Sequence, residues 1–286
     1  MKTVLAALLL FPCLLHAGPE ELKSYARVQP RKVNEGSALL ASRRFPGVFW
    51  AINDSGGEPV LYPVSRDGAA VSASTSSYGV AVASAANRDW EALAMDGEGN
   101  ILIGDIGNNS NKRRDLAVYS VPEPDPYKDA LTAPARKARL RYADQRAFPP
   151  EERNFDGEAM FWAGGSLYII SKNRADTLAK LYRLESLSPE KENAARLVSR
   201  FDSRAMVTDA AMSPDGALLA VLTYEGIWTF GRPARAGDYF SGPASFLGIA
   251  AGQCEGIAFD GPGALVVSNE ERDLFRVPLS SLKPVR

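Results

Sequence analysis

The sequence predicts an all-β chain folded as a five-bladed β-propeller of four-stranded antiparallel blades. Three observations carry that prediction. A pattern of acid, small residue, apolar residue, turn and apolar strand recurs five times along the 286 residues. A third short strand follows every hairpin, and a fourth follows all but the last. A spare strand stands before the first repeat, where it can supply the one missing from the end. Repetition at about 50 residues with four strands per unit is the pattern of propeller blades. A β-sandwich of equal strand count would not require five acids at one repeat position.

In chain order, SYARVQ (24–29) is the spare strand, expected to join the last blade and close the ring. The first repeat runs NEGSALLASRRFPGVFWAIND, then VLYPV (60–64), then VSASTSSYGV (71–80). The second is WEALAMDGEGNILIGD, LAVYSV (116–121) and ARLRYAD (138–144). The third is GEAMFWAGGSLYIISKN, KLYRL (180–184) and ARLVSRFD (195–202). TDAAMSPDGALLAVLTYE, GIWTF (226–230) and ASFLGIA (244–250) make the fourth, and CEGIAFDGPGALVVSNE with LFRV (274–277) makes the fifth. Apolar runs rich in Val, Ile, Leu and aromatic residues read as strands, and DGEGN, GG, SPDG and DGPG between them as hairpin turns. The segment VPEPDPYKDALTAPARKA after the second repeat reads as a long exposed excursion.

The first residues, MKTVLAALLLFPCLLHAG, combine a lysine, a run of apolar residues and a small residue at Ala17. That is the pattern of a signal peptide over 1–17, which leaves one domain over 18–286 and a secreted or periplasmic location. Cys13 lacks the small residue that precedes a lipidated cysteine. No later segment is long and apolar enough to span a bilayer. Cleavage removes Cys13 and His16, so Cys254 remains as a lone thiol, read as an apolar filler, and no histidine remains. A Ser-His-Asp triad, a Cys-His pair and histidine zinc sites are thereby excluded. Chemistry is left to carboxylates, Lys, Tyr or an oxygen-bound metal. The net charge of -1 gives no reason to expect nucleic acid or an anionic membrane, and a monomer is expected.

The repeated acids are Glu35, Glu91, Glu158, Asp209 and Glu255. First strands line a propeller's channel, so these five are expected to meet at its mouth as metal ligands. Crowded carboxylates take up protons or bind a cation. Oxygen donors alone favour a hard one, calcium, with magnesium as the alternative. A wet channel with solvated acids is the other reading. Across each hairpin stand Asp105, Lys172, Thr223 and Asn269, with Asn53 or Asp54 in the first repeat. Asn108, Asn173, Arg174, Tyr224, Glu225 and Glu270 follow them. Together they form a second polar ring, a mouth for a small-molecule or protein ligand. For the Asn residues, simple turn formation explains the pattern equally well. Lys172 either binds an anion or neutralises the acids. Trp50, Trp90, Trp162 and Trp228 sit on strands and read as packing.

At DWEALA, GDIGNN, YSVPEP and FDGEAMF with LYIISKN, the chain resembles uncharacterised secreted bacterial β-propeller proteins. More loosely, it is similar to calcium-binding propellers: calcium-activated nucleotidases, propeller phytases and regucalcin-type lactonases. Two function classes stay open, with binding preferred because no position has a nucleophile with its base beside it. One is a metal-dependent hydrolase of phosphoesters or lactones, with Asp105 as base and Lys172 and Arg174 on an anionic group. The other is a binding module with a structural metal. The chain departs from those families in its thin basic cluster and its missing histidine base.

Overall fold

The computed structural model describes residues 18–73 and 78–285. The segment read as a leader, 1–17, lies outside them, as does part of the strand expected at 71–80. Two short strands, β1 (Glu20–Glu21) and β2 (Ser24–Arg27), come first. The first repeat holds β3 (Gly36–Ala41), β4 (Val48–Asn53), β5 (Val60–Ser65) and the two-residue β6 (Val80–Ala81). The second holds β7 (Trp90–Met95), β8 (Asn100–Asp105), β9 (Ala117–Pro122) and β10 (Arg136–Tyr142). The third holds β11 (Gly157–Ala163), β12 (Ser166–Ser171), β13 (Leu178–Leu184) and β14 (Asn193–Asp202). The fourth holds β15 (Val207–Met212), β16 (Leu219–Thr223), β17 (Gly226–Phe230) and β18 (Ala244–Ala250). Last come β19 (Cys254–Phe259), β20 (Ala264–Asn269), β21 (Asp273–Pro278) and β22 (Lys283–Pro284). Among the described residues no helix is long and apolar enough to cross a membrane.

The chain is all-β, but the expected five separate four-stranded blades need correction. The described strands form four sheets. Strand β10 pairs in parallel with β14, Leu140 facing Asn193 and Tyr142 facing Ala195, which joins the second and third repeats into one eight-stranded sheet. The fourth repeat gains β1 and β22, both on β18, and becomes six-stranded. Two sheets have four strands: β3-β4-β5-β6, and β19-β20-β21 with β2. The physical reason is the open edge. An outer strand presents unpaired N–H and C=O groups that find a neighbour or a cover. At β10 the neighbour is β14, secured where Asn193 Nδ2 donates to Arg139 O at 2.9 Å and where Tyr142 packs on Tyr182 at 4.6 Å. Repeats read singly do not show which edges meet.

The first strands pack in succession: β3 on β7, β7 on β11, β11 on β15, β15 on β19, and β19 on β3. Small residues permit this closeness. A Cβ on Gly256 would lie 3.0 Å from Leu39 Cβ and 2.4 Å from Ser268 Oγ. Apolar side chains between consecutive repeats form the cores, for example Leu102, Val118 and Leu140 with Met160, Ile169 and Tyr182. At roughly 1.5–3 kcal/mol for each large apolar side chain buried, these layers drive the folding.

The excursion after β9 is a cover, not a free loop. Ala81 N donates to Ala130 O at 2.9 Å, Thr132 N to Ala81 O at 2.9 Å, and Ala135 N to Ala83 O at 2.8 Å. These bonds close the edge that the short β6 leaves open. Buried Glu123 anchors the excursion's start, accepting from Trp50 Nε1 at 2.9 Å, Ser42 Oγ at 2.5 Å and Arg44 N at 3.3 Å. Replacing Glu123 with Ala strands those donors. Urea unfolding at pH 7 is expected to show a loss of about 2–4 kcal/mol, with a smaller loss for Glu123→Gln.

Candidate functional site

Each first strand begins with a β-bulge. The pairing slips between Gly36 and Ala38, Trp90 and Ala92, Gly157 and Ala159, Val207 and Asp209, and Cys254 and Gly256. A bulge leaves one residue unpaired and re-aims its side chain. The five bulged residues are Ser37, Glu91, Glu158, Thr208 and Glu255. Three are acids and two are hydroxyls. Ser37 Oγ donates to Trp90 O and Thr208 Oγ1 to Cys254 O, each at 2.8 Å, tying one first strand to the next.

Glu35 and Asp209 therefore differ from the other repeated acids. Glu35 stands two residues before its bulge, on the exposed rim, where its carbonyl accepts from Asp54 N at 2.9 Å. Asp209 stands one residue after its bulge and is buried. Its Oδ2 accepts from Ile257 N at 2.8 Å and Leu39 N at 3.3 Å, and its Oδ1 from Ala210 N at 2.8 Å. Asp209 clasps β3, β15 and β19 together and is spent in doing so.

A cavity of about 280 Å³ opens above the bulges. Glu35, Asp54, Glu91, Glu158, Lys172, Arg174, Tyr224, Glu255 and Glu270 line it, with Asn109 and Ser37. Asp54, Lys172, Tyr224 and Glu270 are the residues just beyond the ends of β4, β12, β16 and β20. Lys172 Nζ lies 3.0 Å from Glu158 Oε2, and Tyr224 O–H donates to Glu255 Oε1 at 2.9 Å. Arg174 Nε pairs with buried Asp156 Oδ2 at 3.0 Å.

Other residues of the second polar ring do not line the cavity. Asp105 is buried, with Oδ1 accepting from Arg113 Nη2 at 2.8 Å and from Asp89 N at 3.2 Å. Asn53 Nδ2 donates to Lys32 O, Asn108 Nδ2 to Phe155 O, and Asn269 Nδ2 to Ala251 O, all holding loops. Asn173 accepts from Ser171 Oγ at 2.6 Å. The N–H of Glu225 donates to Thr223 Oγ1 at 3.3 Å.

Asp89 is the residue that the repeat pattern passes over. The nearest carboxylate oxygens of Asp54, Asp89 and Glu91 lie within 4.8 Å of one another. Asp89 precedes Glu91 by two residues, a spacing that puts side chains on one face of an extended chain, and this was the available signal. Gly107 lies behind the pair. A Cβ there would be 2.5 Å from both Asp89 Oδ2 and Glu91 Oε1, so any larger residue would push the two carboxylates out of place. Glu91 is 6% exposed, and among the described residues its carboxylate has no hydrogen-bond or ion-pair partner. Burial, then Glu158, Asp54 and Asp89, push its carboxyl well above the usual range. Burial and Asp54 push Asp89 up to about 6, and burial also raises Glu255. Burial pushes Glu158 up against the pull of Lys172. Burial works against the Lys172 ammonium, but Glu158 and Glu255 outweigh it and keep it charged.

The donor set fits a hard cation. It is all oxygen, and its buried member is unmatched. A larger cavity, about 560 Å³, lies at the opposite ends of the same first strands, with Leu40, Met95, Trp162, Met212 and Phe259 in its wall. Among the described residues no group of three or more carboxylates converges there.

No family model matches the chain, and no curated protein matches it. Among solved structures, a gluconolactonase from Xanthomonas campestris is similar over 93% of this chain and 87% of its own, at 13% identity and a TM-score of 0.44. A chain of the mitotic checkpoint complex is similar over 85% of this chain and 61% of its own, at 10% identity and a TM-score of 0.41.

Two outcomes follow from this geometry. Asp209→Ala removes three acceptor contacts from the inner strands and is expected to cost about 2–4 kcal/mol in urea unfolding. Asp89 is different, because a carboxyl raised in the folded state destabilises once it ionises. Its contribution is fully present below the unfolded value near 4 and is lost as pH rises through about 6. In metal-free buffer Asp89→Asn is therefore expected to raise the Tm at pH 7.5 and to leave it unchanged at pH 4.

Proposed function

We propose that the acidic mouth binds a divalent cation, calcium by preference, through Asp54, Asp89 and Glu91. On this reading the protein is a secreted or periplasmic binding module that takes a small ligand at the cation. The observation that carries the proposal is Glu91, a buried carboxylate without a partner beside two more carboxylates. Calcium takes six to eight oxygen ligands in flexible geometry, so three side chains leave positions for ligand oxygens. Bound there, the ion would hold and polarise such an oxygen. Magnesium holds its waters more tightly and suits the site less.

The binding reading is favoured over phosphoester hydrolysis because the groups that chemistry needs are engaged elsewhere. Asp105 faces Arg113, Lys172 faces Glu158, and Arg174 faces Asp156. One observation supports a second reading, lactone hydrolysis. Asp89, with a carboxyl near 6, is suited to take a proton from water at neutral pH.

Calorimetric titration of the purified protein tests the proposal. One calcium ion is expected to bind, and Glu91→Gln or Asp54→Asn is expected to weaken it at least tenfold, while Glu225→Gln leaves it unchanged. Protons compete for the same oxygens, so affinity should fall by about tenfold per pH unit per displaced proton below pH 6. An isotherm that is flat, or equal in parent and Glu91→Gln, would falsify the assignment. Turnover of a lactone panel that disappears in Asp89→Asn would select the hydrolase reading.

A further inference from the structure

The cavity at the far end of the first strands, about 560 Å³, shares no lining residue with the acidic mouth. Apolar-walled cavities of roughly 300–1,000 Å³ with a few convergent polar groups are the usual small-molecule sites. Two N–H donors of this wall lack the partner that such groups ordinarily have. The Nε1 groups of Trp50, Trp90 and Trp228 donate to Glu123 Oε1, Ala86 O and Ser203 O. That of half-buried Trp162 donates to nothing among the described residues. Arg43 is the one cation in the described wall, and among the described residues no carboxylate lies within ion-pair distance of it. Two backbone carbonyls aim its guanidinium instead, with Nη1 on Asp96 O at 2.7 Å and Nη2 on Met95 O at 3.4 Å. Further N–H groups of that fork stay free. Both donors meet at one turn, since a Cβ on Gly97, next to Asp96, would lie 3.7 Å from Trp162 Nε1. The Asp96 carboxylate folds back on the turn, accepting from Glu98 N at 2.9 Å and Asn100 N at 2.8 Å. The described wall has a single carboxylate, Asp215 of the fourth repeat, which accepts from Ser213 Oγ at 2.6 Å and Ala217 N at 3.0 Å.

We propose that this second cavity binds an apolar monocarboxylate. Its hydrocarbon body would lie against Leu40, Met95, Met212 and Phe259, and its carboxylate on Arg43 and Trp162 Nε1. Flexible methionine side chains fit an irregular apolar body, and its removal from water drives the binding. The two donors then choose the head group, because an arginine–carboxylate hydrogen bond is charge-assisted and the indole N–H adds a second bond. The site is independent of the cation at the mouth and of the reading built on it.

The test is calorimetry on the purified protein with octanoate, 1-octanol, octylamine and acetate, at concentrations below self-association. Octanoate is expected to bind, 1-octanol and octylamine at least about tenfold more weakly, and acetate, a head group without a body, not at all. In Arg43→Gln, an exposed position, octanoate is expected to weaken about tenfold while 1-octanol binds as it does to the parent. Trp162→Phe keeps an aromatic wall and loses the N–H. It is expected to weaken octanoate and to abolish the change in tryptophan emission that octanoate causes in the parent. Both variants are checked for an unchanged Tm. Octanoate bound alike by parent and Arg43→Gln overturns the carboxylate assignment, as does 1-octanol or octylamine bound as tightly as octanoate. Silence of octanoate and 1-octanol together overturns the site itself.

Discussion

A buried carboxylate is tolerated only when a donor or a positive charge meets it, because desolvation costs several kcal/mol per ion. This chain buries many, and each is answered differently. Asp209 takes three backbone N–H groups, Glu123 an indole, a hydroxyl and a backbone N–H, and Glu158 the Lys172 ammonium. Asp105 takes Arg113, and Asp156 takes Arg174 with the Asn108 N–H. Glu91 is buried to a similar degree and takes nothing among the described residues. Asp105 Oδ2 and Asp144 Oδ1 also lack partners, but each of those carboxylates is met through its other oxygen, by Arg113 and by the Tyr182 hydroxyl, whereas Glu91 is met through neither.

The bulges explain why the acids gather. An unbulged strand would send alternate side chains between the sheets, where apolar residues belong. One extra residue at each strand start turns a side chain toward the common mouth, while the rest of the strand keeps its alternation. Two of the five positions use a hydroxyl, and those hydroxyls bind the neighbouring strand. The mouth thus divides its bulges between holding the inner strands together and presenting charge. Asp209, just below, adds a clasp that separates the polar cavity from the apolar one at the other end.

The hairpins were legible in the sequence because alternation and turn residues are local signals. The sheets were not. Which edge β10 meets depends on the parallel contact of Leu140 with Asn193, some fifty residues on, and no local pattern encodes it. At the site, Glu91, Glu158 and Glu255 could be read because acid and bulge coincide there. Glu35 and Asp209 mislead because their repeats place a serine and a threonine at the bulge, with an acid nearby. Asp89 is harder to see because its equivalents are Glu35, Asp156, Met206 and Gln253, so the acid is kept in only two of the other four repeats.

The pairing of β2 with β21 bears on the order of assembly. Ser24 faces Phe275, so β2 waits for a strand made some 250 residues later. Closing so long a loop is entropically costly only in a slow, logarithmic way, but it makes the contact highly non-local. Until β21 arrives, the last sheet has no fourth strand and the first and fifth repeats share no finished core. The nascent protein therefore carries a sticky seam from the making of β2 to the making of β21. Its yield in a cell is then a matter of how quickly that seam is sealed, or of what shields it meanwhile.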